Sequence, residues 1–197
     1  MGKTTWNTVN KFLSVGLIAS ALLGSIKIAG KKTDLLDSAP LQVKALDNTG
    51  NELVYNVPTY NSFKIPPYNC SRYARMAAQD VFGVNYSPGN AWDLKYENDV
   101  ISEVEGGNLE KFAETRVLEP GMIVGIFNPQ SKYLQEPDKN GNPRKYTHIA
   151  LYLGQDPEGK PLLVHQYGSN IRVETYDSLR KKGLEAREIL APRKNSL

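Results

Sequence analysis

Asn69-Cys70-Ser71-Arg72-Tyr73-Ala74-Arg75-Met76-Ala77-Ala78-Gln79-Asp80-Val81-Phe82-Gly83 carries the clearest periodicity of the chain. Cys70, Tyr73, Ala74, Ala77, Ala78, Val81 and Phe82 recur at three- and four-residue intervals, which places them on one face of a helix. Asn69 is a good N-cap and Gly83 a good C-cap, so the spacing predicts a helix over 70–82. Shorter helices are expected at 90–97 and 108–115. After Pro120-Gly121 the period changes. Met122–Phe127, His148–Leu153, Pro161–Gln166, Ile171–Thr175 and Leu184–Leu190 are short apolar runs, each bounded by Gly, Pro, Asn or Asp. A helix from Tyr176 to Lys182 precedes the last run. Helices followed by adjacent strands indicate an α+β fold with an antiparallel sheet.

Upstream of that block, Leu41–Ala45 and Glu52–Val57 read as strands. Asp47-Asn48-Thr49-Gly50-Asn51 between them is turn chemistry, so a hairpin is expected. Pro58–Asn69, with three prolines, reads as an extended loop, and 128–146 as a long polar one. The organisation expected is a leader over 1–30, a linker and hairpin over 31–57, and one folded domain over 58–197.

The leader supplies the compartment. Phe12–Ile26 is an uncharged run of 15 residues, preceded by Lys3 and Lys11. That is the pattern of an export signal. The segment 12–29 serves equally as a cleaved signal or as an uncleaved membrane anchor, so the protein is expected to be exported: secreted, periplasmic or at the cell surface. The formal charge of +3 has the same origin. Lys3, Lys11 and Lys27 are three of the 24 basic residues, leaving 21 against 21 acidic ones. A neutral body lacks the basic footprint of a nucleic-acid binder.

Chemistry concentrates on three residues. Cys70 is the only thiol, and it opens the best helix. Unpaired N–H groups and the positive dipole end at a helix start favour thiolate, so its pKa is expected to fall below about 8.5. His148 begins one strand and His165 ends the next. A turn at 156–160 can bring the two together. A thiol, an imidazole to carry its proton and a third group to orient that imidazole are the parts of nucleophilic catalysis. The same three residues could instead be zinc ligands with one open position. A buried structural cysteine with two structural histidines is the plain alternative.

Four stretches form a recognisable set: Asn69-Cys70-Ser71-Arg72-Tyr73-Ala74, Pro120-Gly121-Met122-Ile123-Val124, His148-Ile149-Ala150-Leu151-Tyr152-Leu153-Gly154 and Leu163-Val164-His165. Together they resemble the NlpC-type papain-like cysteine peptidases and the related CHAP amidases, over about 66–175. The resemblance implies a papain-like core, with the nucleophile on a helix packed against an antiparallel sheet. It implies Cys70 as nucleophile, His148 as general base and His165 as orienting residue, with no cofactor. The substrate it implies is an amide bond, most often in the stem peptides of peptidoglycan. A tyrosine upstream of the cysteine often helps bind the oxyanion in this family, which makes Tyr60 and Tyr68 candidates beside the backbone N–H of Cys70. The chain departs from the pattern at Pro66-Pro67-Tyr68-Asn69, where members carry Trp-Gly-Gly before an Asp-Cys-Ser, and at Met122, where they carry an acid. The rival expectations are a catalytically silent papain-like module that binds cell-wall peptides, and an intracellular thiol hydrolase or transferase whose leader has been misread.

Overall fold

The computed structural model describes residues 38–60, 64–66 and 69–193. The leader 1–30 and Tyr68 lie outside them. The fold is α+β, built on one eight-stranded sheet in which every pairing is antiparallel.

Strands β1 (Ser38–Leu46) and β2 (Glu52–Thr59) form the expected hairpin. Its turn is held by Asp47, whose Oδ1 accepts from the Thr49 and Asn51 N–H groups at 2.8 and 2.9 Å. The hairpin is hydrogen-bonded into the main sheet, since Leu46 of β1 pairs with Gln155 of β5 (His148–Gln155). Gly154 permits that approach. Its φ is 128°, and a Cβ there would stand 2.5 Å from the Leu46 carbonyl oxygen.

Helix α1 spans Cys70–Phe82. The Asn69 side chain accepts from the Arg72 N–H at 3.0 Å, and the Gly83 N–H closes the other end on the Gln79 carbonyl. Cys70, Tyr73, Ala74, Ala77 and Ala78 are buried, and the three alanines let the helix lie close on the sheet. Helices α2 (Leu94–Glu97) and α3 (Leu109–Glu114) are shorter than the expected spans, and a 3₁₀ turn over Ala91–Asp93 replaces the start of the first.

Between them lies β3 (Asp99–Glu103), a strand with no sequence forecast. It is an edge strand on β8 (Glu185–Ala191), and its apolar residues Val100 and Ile101 are exposed. Nothing in its pattern alternates by burial, so the pairing comes from its partner and not from its own sequence.

The central strands β4 (Ile123–Phe127) and β5 are covered on both faces, hence their nearly unbroken apolar runs, and β8, which carries Glu185, Arg187 and Glu188, is buried from Glu188 to Leu190. Ile123, Ile149, Leu151 and Leu190 join the core under α1. Val124, Ile126, Ala150 and Ile189 join a second core with Leu109 of α3 and Leu179 of α4 (Tyr176–Lys181). β5 also pairs with β6 (Pro161–Tyr167), and β6 with β7 (Asn170–Thr175). Gly125 of β4 has no side chain because the Tyr146 ring lies over it; a Cβ would meet ring carbons at 2.8–2.9 Å.

The long segment 128–146 is not loose. Asp138 is buried in it, and accepts from the Asn140 and Asn142 N–H groups and from the Tyr96 hydroxyl of α2. The Arg144 guanidinium lies 3.7 Å from the centre of the Trp92 ring.

Candidate active site

Cys70 is the first residue of α1 and is 9% exposed. Two tethers aim it. Ser71 donates to the Gly89 carbonyl, fixing the first turn. Gln166 of β6 donates through Nε2 to the Pro66 carbonyl at 3.2 Å, fixing the segment that leads into the helix. Gln166 is a residue that sequence reading missed. Its only signal was its place beside His165, with the side chain on the opposite face of the strand.

The Cys70 thiol lies at the backbone N–H of Ile149, the residue after His148; its own N–H and that of Ser71 also face the sulfur. His148 opens β5, and His165 sits in β6 opposite Arg172 of β7. The two rings meet edge to face, and His148 Nε2 stands 2.9 Å from His165 Nδ1. One proton is shared across that contact. The structure thus brings together the two imidazoles that spacing singled out, and sets the Cys70 thiol at the peptide N–H that follows His148. The two ring nitrogens bond to each other, where two tetrahedral ligands of one zinc at about 2.0–2.1 Å would stand farther apart. Among the described residues, no group of three or more His, Cys, Asp or Glu side chains is arranged to hold a metal ion.

Tyr60 is placed elsewhere. Its hydroxyl donates to Asp80 at 2.5 Å. Asp80 is ten residues along α1 from Cys70, about 15 Å at the helical rise. The structure does not bring this hydroxyl to the thiol. Tyr167, 48% exposed, has its ring edge-on to both histidines, with centroids 6.4 Å away.

Electrostatics correct one expectation. Burial pushes the Cys70 thiol up to about 11, and the three backbone N–H groups only partly oppose it. The expected drop, argued from the helix start, is therefore reversed. A sulfur this enclosed loses more by desolvation than the helix terminus returns. Burial, with His165 beside it, pulls His148 down to about 3. Burial, then the Lys182 and Arg172 charges, pulls His165 down to about 4. At neutral pH the resting site holds an uncharged thiol and two uncharged imidazoles. Such a site suits proton transfer in step with nucleophilic attack rather than a standing ion pair.

Among the described residues no helix is long and apolar enough to cross a membrane, and the segment 12–29 lies outside them. Compared with protein-family models, with curated proteins and with solved structures, the chain finds no match.

Proposed function

We propose that this chain is an exported or membrane-anchored cysteine hydrolase of papain-like build that cleaves an amide bond, with peptidoglycan stem peptides as its substrate class. The observation that carries the reading is the His148–His165 contact of 2.9 Å, with the Cys70 thiol at the peptide N–H next along from His148. The substrate class rests on the family resemblance of the four motifs and on the export-like leader.

In this reading Cys70 Sγ attacks the amide carbonyl carbon as His148 takes the thiol proton. The backbone N–H groups at the start of α1 receive the developing oxyanion. His148 then returns the proton to the leaving nitrogen, and the C–N bond breaks to leave a thioester. Water, deprotonated by His148, adds to the thioester; the S–C bond breaks and the thiol is restored. His165 holds the His148 ring in its tautomer throughout.

Purified peptidoglycan is the test substrate, with mass analysis of the released fragments. The wild type should release fragments carrying new amino termini, and Cys70→Ala should release none. A folded Cys70→Ala variant with full activity overturns the reading.

A second reading has one observation in its favour, the buried and uncharged thiol. It is the catalytically silent module, which predicts that wild-type protein co-sediments with peptidoglycan and releases nothing.

A further inference from the structure

The contact between the two imidazoles leaves an ambiguity that decides the chemistry. Either His148 Nε2 carries the shared proton and His165 Nδ1 accepts it, or the reverse. Only the first leaves His148 Nδ1 unprotonated. That is the ring nitrogen nearer the His148 backbone, and the Cys70 sulfur lies at the very next peptide N–H. In the second arrangement His148 has its Nε2 occupied as an acceptor, carries its proton on Nδ1, and cannot take another from the thiol there.

What selects between them must act on the far nitrogen of His165. That atom, Nε2, is buried and has no hydrogen-bond partner. The carboxylate facing it is Glu174 of β7, with Oε1 at 4.0 Å, while the Lys182 and Arg172 charges also act on this ring, from the cationic side. The separation is that of an ion pair and not of a hydrogen bond, and such contacts tighten when charge develops in the reaction. The other carboxylate oxygen is held in place: Ser178 Oγ donates to Oε2 at 3.2 Å, and Lys182 Nζ bonds the same oxygen. Arg172 lies 3.7 Å from Oε1.

From this the geometry points to Glu174 as a positioning residue, a fourth member behind His165 that fixes the proton order of the whole site. The assignment rests on the cysteine-hydrolase reading above. A carboxylate accepts and cannot donate, so it favours the proton on His165 Nε2. His165 Nδ1 is then the acceptor, His148 Nε2 the donor, and His148 Nδ1 the free base. When His148 takes the thiol proton, the positive charge of the imidazolium is shared toward a carboxylate across two rings. Glu174 touches neither thiol nor substrate. It acts through His165 alone.

The chain has only two histidines, so the tautomer of each can be read by nuclear magnetic resonance of isotope-labelled histidine nitrogens. In the wild type His165 should be wholly Nε2–H. Glu174→Gln should reverse it. Ser178 and Lys182 keep the amide oxygen on their side and turn the amide N–H group toward His165, whose Nε2 becomes the acceptor. The His165 signal should shift to Nδ1–H, and kcat should fall about tenfold or more with KM little changed. Glu174→Ala should give a mixture of tautomers. Lys182→Ala removes the ion pair but leaves the carboxylate, and should leave the tautomer as it was, which separates positioning from simple support of the fold. A His165 that is Nδ1–H in the wild type, or that stays wholly Nε2–H in both Glu174 variants, overturns the assignment. The tautomers are read without turnover. A shift on Glu174→Gln together with an active Cys70→Ala variant would sink the hydrolase reading and leave the proton order standing.

Discussion

Native Cys70 should be an unusually slow thiol. Its pKa is raised from 9.0 to about 11, with burial the leading cause. Alkylation proceeds through the thiolate, and each pKa unit is a factor of ten in thiolate population below the pKa. Two units therefore leave about 100-fold less thiolate than in the unfolded chain at the same pH. Restricted access to a sulfur in a residue 9% exposed acts in the same direction. The assay is the rate of iodoacetamide labelling, followed by mass, for native protein and for protein in concentrated urea, at several pH values from about 6 to about 10. The native rate should trail the unfolded rate by about two orders of magnitude and keep climbing to the top of that range. A native thiol that labels faster than the unfolded one near neutrality, with a plateau, refutes this. It would mean that Cys70 and His148 already form a thiolate–imidazolium pair, as the helix start alone suggests, and that burial does not dominate.

The same neutral pair predicts a flat pH profile: the one-proton state of the thiol and imidazole holds from about 3 to about 11, so kcat/KM should be level across neutrality, whereas an ion pair gives a bell within it. His148→Ala should lose most of the hydrolysis and His165→Ala less, with partial recovery in His165→Asn or His165→Gln; a larger loss at His165 would mean that the two roles are exchanged. Both histidine pKa values are depressed below 6.5, so between that pH and about 4 the unfolded chain binds protons that the folded one does not. The stability they contribute is full above 6.5 and should fall as the medium is acidified through that window; a urea midpoint that rises from pH about 7 to about 5 speaks against it. Gly125→Ala should lower stability by about 1–3 kcal/mol, because its methyl group would press into the buried Tyr146 ring; an unchanged midpoint would show that the ring can move aside.

Most of the fold is legible in the sequence because its elements carry their own signals. α1 follows from the alanine-rich face and from Asn69 and Gly83 at its ends, and the bounds agree to the residue. β5 and β6 follow from apolar runs cut by glycine, proline and aspartate. What was not legible is what depends on a neighbour. β3 exists because β8 offers an edge, and Val100 and Ile101 give no burial pattern to read. The hairpin looks like a preface to the domain, yet β2 runs on to Thr59 and β1 reaches β5 at Gln155. Nothing local in either segment encodes that pairing.

The site divides along the same line. That the two imidazoles meet could be reasoned from position: histidines on adjacent strands need only a short turn to come together. How the site is charged could not. A helix start is visible in a sequence, whereas the depth at which it is covered is set by Ile149, by the tether from Gln166 to Pro66 and by the tether from Ser71 to Gly89. Those contacts span from 18 to 100 residues of chain. Glu174 shows the same dependence. It lies nine positions after His165 in a strand whose pattern reads as ordinary. Only the register of β6 on β7, with His165 opposite Arg172 and Leu163 opposite Glu174, turns its carboxylate toward the imidazole. A one-residue slip of that register would put the side chain on the other face and leave His165 Nε2 without a carboxylate beside it. The proton order of the site is thus a property of the sheet, and it is the sheet, more than the cysteine, that separates this arrangement from a chance thiol beside two histidines.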